Sequence, residues 1–356
     1  MAGETALVSG VTGVVGGRIA RHLALLGGWR VIGVSRRPPA EEDRSAGVDY
    51  LSLDLQDRAA CAKAIGALNG ITHFFNAARF EHVTTQPEPI DINTAMFVNL
   101  LDALEQTGHP LRHVHLVQGT KYYGSAAGRF PTPARESDPR PSHDTFYFAQ
   151  EDIAIARSKT RGWTWSASRP HGICDPSPTI VRSMARLIGV YAAICKELGL
   201  PLSFPGTPEN YRAIYQCTDS RLLAKAIVWM STDPKCANQA FNVTNGEYFR
   251  WENLWPRIAG YFKMSCGPVV TLKLAKAMAD KSAIWDRIVA RYGLRNIPYD
   301  QAAIWSYGDF LFMPDWDMMS STTKLRQFGF CDVVDTEAMF FSLFDVLRAE
   351  RVIPRV

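Results

Sequence analysis

A doubly wound, parallel α/β sheet is the fold this sequence predicts, and three observations predict it. Short apolar runs alternate with helical patterns through the first half of the chain. A glycine-rich loop follows the first of those runs and opens the first helical pattern. The balance of 47% hydrophobic and 21% charged residues over 356 positions is that of a globular chain with a sizeable core, in two domains or one large one.

The elements follow in order. Thr5 to Ser9 is a strand, and the helix Gly16 to Leu26 comes after the glycines. Arg30 to Ser35 is the second strand and Tyr50 to Leu53 the third, followed by the helix Arg58 to Leu68. Ile71 to Asn76 is the fourth strand; a helix from about Asn93 to Gln106 leads to the fifth, His113 to Val117. Glu151 to Thr160 reads as a helix and Thr164 to Ser168 as the sixth strand. Right-handed crossovers between parallel strands then leave little freedom in topology. After residue 175 the composition changes, with Pro176, Pro178, Pro201, Pro205 and Pro208 close together. Ala213 to Cys217 and Ala240 to Val243 look like strands returning to the first domain. The aromatic residues between Trp251 and Trp316 suggest a mostly helical lid over a pocket, with most of the tryptophans in its core. The expected organisation is a dinucleotide-binding domain over residues 1–175, with returning segments at about 213–243. Residues 176–212 and 244–356 form the smaller substrate-binding part.

Charge and cysteine usage exclude several classes. The 39 basic and 35 acidic side chains leave +4, with no long basic run, so no nucleic-acid partner is expected. No apolar run is long enough to span a bilayer; Leu187 to Cys195 ends at Lys196 and Glu197. The N-terminal apolar run, Ala6 to Val15, is cut by glycines and has no basic leader, which predicts a cytoplasmic chain. The seven cysteines are widely spaced, with no Cys-x-x-Cys pair, and are expected to be structural, with no metal site.

The loop reads Gly10-Val11-Thr12-Gly13-Val14-Val15-Gly16. Glycine is needed where a chain turns sharply against a pyrophosphate and where a helix packs closely on a sheet. The free N–H groups of the following helix favour the phosphates. This context predicts dinucleotide binding, with Gly10, Thr12, Gly13, Val14, Val15 and Gly16 at the cofactor. The end of the second strand selects the dinucleotide. A carboxylate there would bind the ribose 2′-hydroxyl of NAD. The chain has Val34-Ser35-Arg36-Arg37 instead, and an arginine fork suits a 2′-phosphate. NADPH is therefore the expected cofactor, with Ser35, Arg36 and Arg37 at the phosphate. Asp54 and Leu55 would flank the adenine, and Ala77 and Ala78 would line the cofactor channel.

Hydride transfer to a carbonyl or an enone places negative charge on oxygen, and a tyrosine beside a cation can stabilise it. Short-chain dehydrogenases usually arrange this as Tyr-x-x-x-Lys on one helix face. Here Tyr147 is present in Phe146-Tyr147-Phe148-Ala149-Gln150-Glu151-Asp152, but the lysine position holds Glu151. A lysine occurs elsewhere, in Gln118-Gly119-Thr120-Lys121-Tyr122-Tyr123-Gly124, at the carboxyl end of the fifth strand where doubly wound sheets bind ligands. Lys121 can thus supply the missing cation from another segment.

These segments together resemble the progesterone 5β-reductase and iridoid synthase-like enzymes, an atypical group of extended short-chain dehydrogenases with a Rossmann-type sheet. The resemblance runs through Thr12 to Gly16, Ser35-Arg36-Arg37-Pro38, Gly119 to Tyr123 (Tyr122 replacing a histidine) and Phe146 to Asp152 (Phe148 replacing a tyrosine). It continues through Arg169 to Ile173, Ser177-Pro178, Ala240 to Gly246 and Phe249 to Trp255. It implies an NADPH-dependent reductase that delivers hydride to the β-carbon of an enone or enal. By that resemblance Tyr147 and Lys121 are catalytic and stabilise the enolate, and Gln118, Tyr147 and Ile173 contact the nicotinamide half. The implied partner is a small hydrophobic enone, enal or carbonyl compound, with no membrane; a homodimer is allowed for. The competing expectations are a carbonyl reductase or alcohol dehydrogenase, which would use Tyr147 on an alkoxide, and a non-catalytic NADP(H)-sensing regulator.

Overall fold

The computed structural model describes residues 3–80 and 88–355. Its centre is a seven-stranded parallel sheet. Four strands open it: β1 (Glu4–Ser9), β2 (Trp29–Ser35), β3 (Val48–Ser52) and β4 (His73–Asn76). β5 (His113–Val117) and β6 (Thr164–Pro170) extend it, and the strand Gln239–Val243 completes it. The order across the sheet is Gln239–Val243, β6, β5, β4, β1, β2, β3. The chain winds outward from β1 in both directions, so a crevice opens at the carboxyl ends of β1 and β4, where such sheets bind ligands.

Both faces are covered, which is why the strands read as nearly continuous apolar runs. Helices α1 (Val14–Leu26) and Ser220–Thr232 cover one face through Ile19, Leu23, Leu223 and Ile227, against Ala6, Val8 and Phe75. Helices α2 (Arg58–Gly66), α3 (Ile90–Gln106) and α4 (Phe146–Arg161) cover the other, where Ile65, Phe97, Leu100 and Ala154 meet Leu7, Ile32 and Phe74. Buried polar side chains of β5 and β6 pair with one another. His113 and His115 of β5 bond to Thr164, Ser166 and Ser168 of β6, with ring nitrogens 2.7–3.0 Å from the hydroxyls. Alternate residues of paired strands share a face, so these groups satisfy one another without water.

A third core gathers residues from 174 onward around α5 (Met184–Glu197). Trp251, Trp255 and Trp285 are fully buried there, and Trp305 and Trp316 pack against its edge. None of the described helices is long and apolar enough to cross a membrane.

Two elements differ from expectation. Helix α4 begins at Phe146 rather than Glu151. The aromatic run Phe146-Tyr147-Phe148 lacks helical polarity, but Thr145 caps it by accepting from the Tyr147 N–H. This sets Tyr147 in the first turn, with Glu151 one turn on along the same face. Of Ala213 to Cys217, only Ile214–Tyr215 is strand, and it pairs antiparallel with Phe249–Arg250 rather than joining the main sheet. The short strand Thr218–Asp219 pairs with Ile173–Cys174, just past β6.

Candidate active site

Ser9, the last residue of β1, draws the crevice loops together. Its hydroxyl donates to Asn76 Oδ1 at 2.9 Å and accepts from the N–H groups of Ala77 and Ala78 at 3.2 and 3.1 Å. Gly10 turns against them at φ +70°, and a Cβ there would come within 2.8 Å of the Ala77 oxygen. A Cβ on Gly16 would come within 2.3 Å of the Gly10 oxygen. Both positions therefore require glycine, and the backbone lies bare where a pyrophosphate would rest. No side chain caps the amino end of α1. Its first N–H groups are left for an anion.

A cavity of about 340 Å³ runs from this loop across the carboxyl ends of β4, β5 and β6. Gly13, Val14, Val15, Ala77, Ala78, Gln118, Lys121, Tyr147 and Ile173 all line it, as do Arg79, His171 and Arg182. Tyr215, Tyr307, Phe310, Leu311 and Met318 contribute the part of the wall that comes from outside the sheet domain. A second cavity of about 300 Å³ lies on the other side of the glycine loop and is lined by Thr12, Gly13 and Tyr50 among others. The remaining residues expected at the cofactor lie outside both linings. Gly10 and Gly16 underlie the loop. Ser35, Arg36 and Arg37 end β2, and Asp54 and Leu55 follow β3. The Arg36 and Arg37 side chains are exposed, while hydroxyls of Ser52 and Ser35 fix their backbone oxygens at 3.0 and 2.9 Å.

Tyr147 is buried, and its hydroxyl lies over Gly119, where even a Cβ would come within 3.5 Å of it. Burial pushes its pKa up to about 12; the Arg79 charge pulls it down and Glu88 pushes it up. At neutral pH the group is a phenol and a hydrogen-bond donor. Lys121 stands in the 3₁₀ turn Thr120–Tyr123 after β5 and donates to Glu88 Oε1 at 3.3 Å. Burial holds its ammonium below the ordinary lysine value; Glu88 opposes that, while Arg79 and Arg182 add to it. Lys121 and Tyr147 thus share one cavity. Among the described residues Lys121 is paired with Glu88, and the cation acting on the Tyr147 hydroxyl is Arg79.

Glu151 occupies the usual lysine position and does different work. It is buried and accepts from Tyr122 Oη at 2.7 Å, Gln118 Nε2 at 2.9 Å, and Arg140 and Arg169 at 3.0 Å each. Burial pushes its pKa up, but the Arg169 charge and these donors outweigh it and hold the carboxyl below the usual range. Arg169 is itself only 2% exposed and also donates to Gln118 Oε1 and Tyr123 Oη. Gln118 spends its second amide proton on the Tyr147 backbone oxygen at 3.4 Å. The network clamps β5, β6 and the first turns of α4 beneath the cavity.

The sequence reading missed Arg79, Glu88 and Arg182. Arg79 could have been found, because it follows the two alanines at the carboxyl end of β4. Glu88 and Arg182 carry no local signal; the chain has to fold before either meets Lys121 or the cavity. The tryptophans considered for the pocket lie in the third core, and the aromatic residues that line the cavity are Tyr147, Phe146, Tyr215, Tyr307 and Phe310.

The family model for a PRISE-like Rossmann-fold domain matches residues 36–354. A (S)-8-oxocitronellyl enol synthase of Nepeta cataria is 32% identical, covering 98% of this chain and 91% of that protein. The 3-oxo-Δ(4,5)-steroid 5-beta-reductase of Arabidopsis thaliana is 31% identical, covering 99% and 93%. Among solved structures, a short-chain dehydrogenase/reductase superfamily protein from Agrobacterium tumefaciens with bound NAD superposes with a TM-score of 0.67. It is 16% identical and covers 98% of each chain. A UDP-glucose 4-epimerase from Thermotoga maritima gives the same TM-score at 13% identity, covering 97% and 99%. At those identities the two structures speak for the fold alone.

Proposed function

The chain belongs to the PRISE-like Rossmann-fold family. From that premise we propose that it is an NADPH-dependent reductase of the carbon–carbon double bond of an enone or enal. One observation carries the reading: the Tyr147 hydroxyl and the Lys121 ammonium line the same cavity as the glycine loop. The two relatives reported above, an enol synthase and a steroid 5-beta-reductase, support it by name.

The bare backbone at Gly10 and Gly16, the uncapped end of α1, and Arg36 and Arg37 fit a dinucleotide with a 2′-phosphate. When bound, NADPH supplies the hydride. The protein's part is to receive the charge that hydride addition creates. Addition at the β-carbon moves an electron pair through the double bond onto the carbonyl oxygen. Tyr147, protonated at neutral pH, donates to that oxygen from a buried position where the hydrogen bond is strong. Lys121 and Arg79 add positive potential from the same cavity and lower the energy of the enolate. The apolar wall of Tyr307, Phe310, Leu311 and Met318 excludes water and holds the carbon skeleton. A proton at the α-carbon completes the reduction.

The test is NADPH oxidation against enones, enals and simple ketones, with products identified by mass and NMR. Saturated aldehydes or ketones are expected. Allylic alcohols from the same substrates would overturn the proposal in favour of carbonyl reduction, with Tyr147 as the acid.

A further inference from the structure

Three cations, Arg79, Lys121 and Arg182, and no carboxylate stand among the described residues that line the cavity. Lys121 is paired with Glu88, which is not among the lining residues, and the Arg79 charge pulls the Tyr147 pKa down. Arg182 forms no ion pair among the described residues. It is half-buried in the segment before α5, and its guanidinium carbon lies 4.8 Å from the centre of the Tyr307 ring. Among the described residues no carboxylate pairs with it. A guanidinium stacked on an aromatic face keeps its N–H edge open for a planar anion. A cation drawn partly out of water beside two others is costly unless something negative joins it.

His171 lines the same cavity. His171 Nε2 is buried with no hydrogen-bond partner, while Nδ1 lies 2.8 Å from the Thr120 hydroxyl. Burial pushes this imidazole down to about 4, so it is neutral at physiological pH. The Thr120 contact is compatible with either tautomer of this neutral ring, and Nε2 is closed off from the cavity.

We infer that the substrate is itself an anion: an enone or enal bearing a carboxylate, which the Arg182 guanidinium takes in paired hydrogen bonds. This rests on the reductase reading above and names the substrate class for that site. The cofactor's pyrophosphate is the other anion to weigh. Arg182, however, is stacked on Tyr307 of the helix Trp305–Phe312, in the part of the wall that comes from outside the sheet domain. One open guanidinium in a largely apolar wall matches one carboxylate.

The probes are a straight-chain enone with a carboxylate at its far end, the methyl ester of the same compound, and the saturated form of each. The wild-type enzyme is expected to favour the acid over the ester by at least about tenfold in kcat/KM, as charge-assisted hydrogen bonds imply. Arg182→Met should bring that ratio to about one or below, and Arg182→Lys should keep part of it. An ester used as well as the acid by the wild-type enzyme overturns the inference. So does an Arg182→Met variant with a raised KM for NADPH and an unchanged acid-to-ester ratio, which would give the arginine to the cofactor. Calorimetric binding of the saturated acid and ester to enzyme loaded with oxidised cofactor separates this from the reductase reading. Tighter acid binding with allylic alcohol as product, or with no turnover, keeps the inference and rejects ene-reduction. Equal binding with clean double-bond reduction does the reverse.

Discussion

Replacing Glu151 with lysine would write the ordinary Tyr-x-x-x-Lys spacing into this chain, and the structure says the result should be loss rather than gain. Glu151 is buried and takes hydrogen bonds from Tyr122, Gln118, Arg140 and Arg169 at 2.7–3.0 Å. Removing one partner from a buried ion pair costs about 3–5 kcal/mol, because the other charge is left uncompensated. Here the orphan is Arg169, which is 2% exposed and has no other carboxylate among its described partners. Gln118 Nε2 and Tyr122 Oη also lose their acceptor, each worth roughly 1–3 kcal/mol when buried. The new ammonium would stand against two guanidiniums. The sum is about 5 kcal/mol or more, set against a whole stability of roughly 5–15 kcal/mol for a typical domain. Urea unfolding followed by tryptophan fluorescence should show Glu151→Lys at a much lower midpoint, or already unfolded. Glu151→Gln, which keeps the shape and can still accept from Arg169, should fall between it and wild type. A Glu151→Lys protein with the wild-type midpoint and raised turnover would refute the reasoning, because the network would then not be what holds this corner of the site.

Three other outcomes follow from the same geometry. Tyr147→Phe should lower turnover by about 10²–10⁴, the usual size of a proton-donor contribution, while the dissociation constant for NADPH barely moves; steady-state kinetics and fluorescence titration check the two parts. Arg36→Ala with Arg37→Ala should weaken NADPH binding by about tenfold or more and NADH binding little, and equal losses would remove the 2′-phosphate role. Stability should fall steeply below pH 6.5. His73, His115 and His171 are pushed by burial to about 4, 3 and 4, and His113 well below its ordinary value. Between those values and 6.5 the unfolded chain binds protons that the folded chain refuses, so His73, His115 and His171 each cost roughly 2 kcal/mol at pH 5 that is absent above pH 7, and His113 acts in the same direction. A urea midpoint unchanged from pH 7 to pH 5 would mean that these rings accept protons in place.

The parallel sheet was legible because its strands announce themselves twice, as apolar runs and as the punctuation between them. Thr5 to Ser9, Arg30 to Ser35 and His113 to Val117 fall on β1, β2 and β5 within a residue at either end. Helix α4 was harder, since Phe146, Tyr147 and Phe148 are all buried and carry no helical alternation. Only the Thr145 cap marks the true start. The strand expected at Ala213 to Cys217 failed for a related reason. An apolar stretch says that a segment is covered, not by what, and Tyr215 is covered by the third core and by His171 rather than by a neighbouring strand of the sheet.

The site divides along the same line. Groups fixed by backbone geometry, such as Gly10 and Gly16, could be named from spacing because the loop leaves no room for anything else. Groups fixed by charge could not. Glu151 looked like the absence of a lysine; in the fold it is the presence of a carboxylate that two arginines require. Lys121 looked like a substitute placed for Tyr147; in the fold its counter-ion is Glu88, more than thirty positions away in sequence. Charges in a buried site are chosen against one another, so replacing any one of them shifts what the others must do. The consequence for this cavity is that its net positive character belongs to the set rather than to any single residue. A substrate that brings one negative charge would complete the set, where a neutral one would leave Arg182 over Tyr307 with no counter-charge among the described residues.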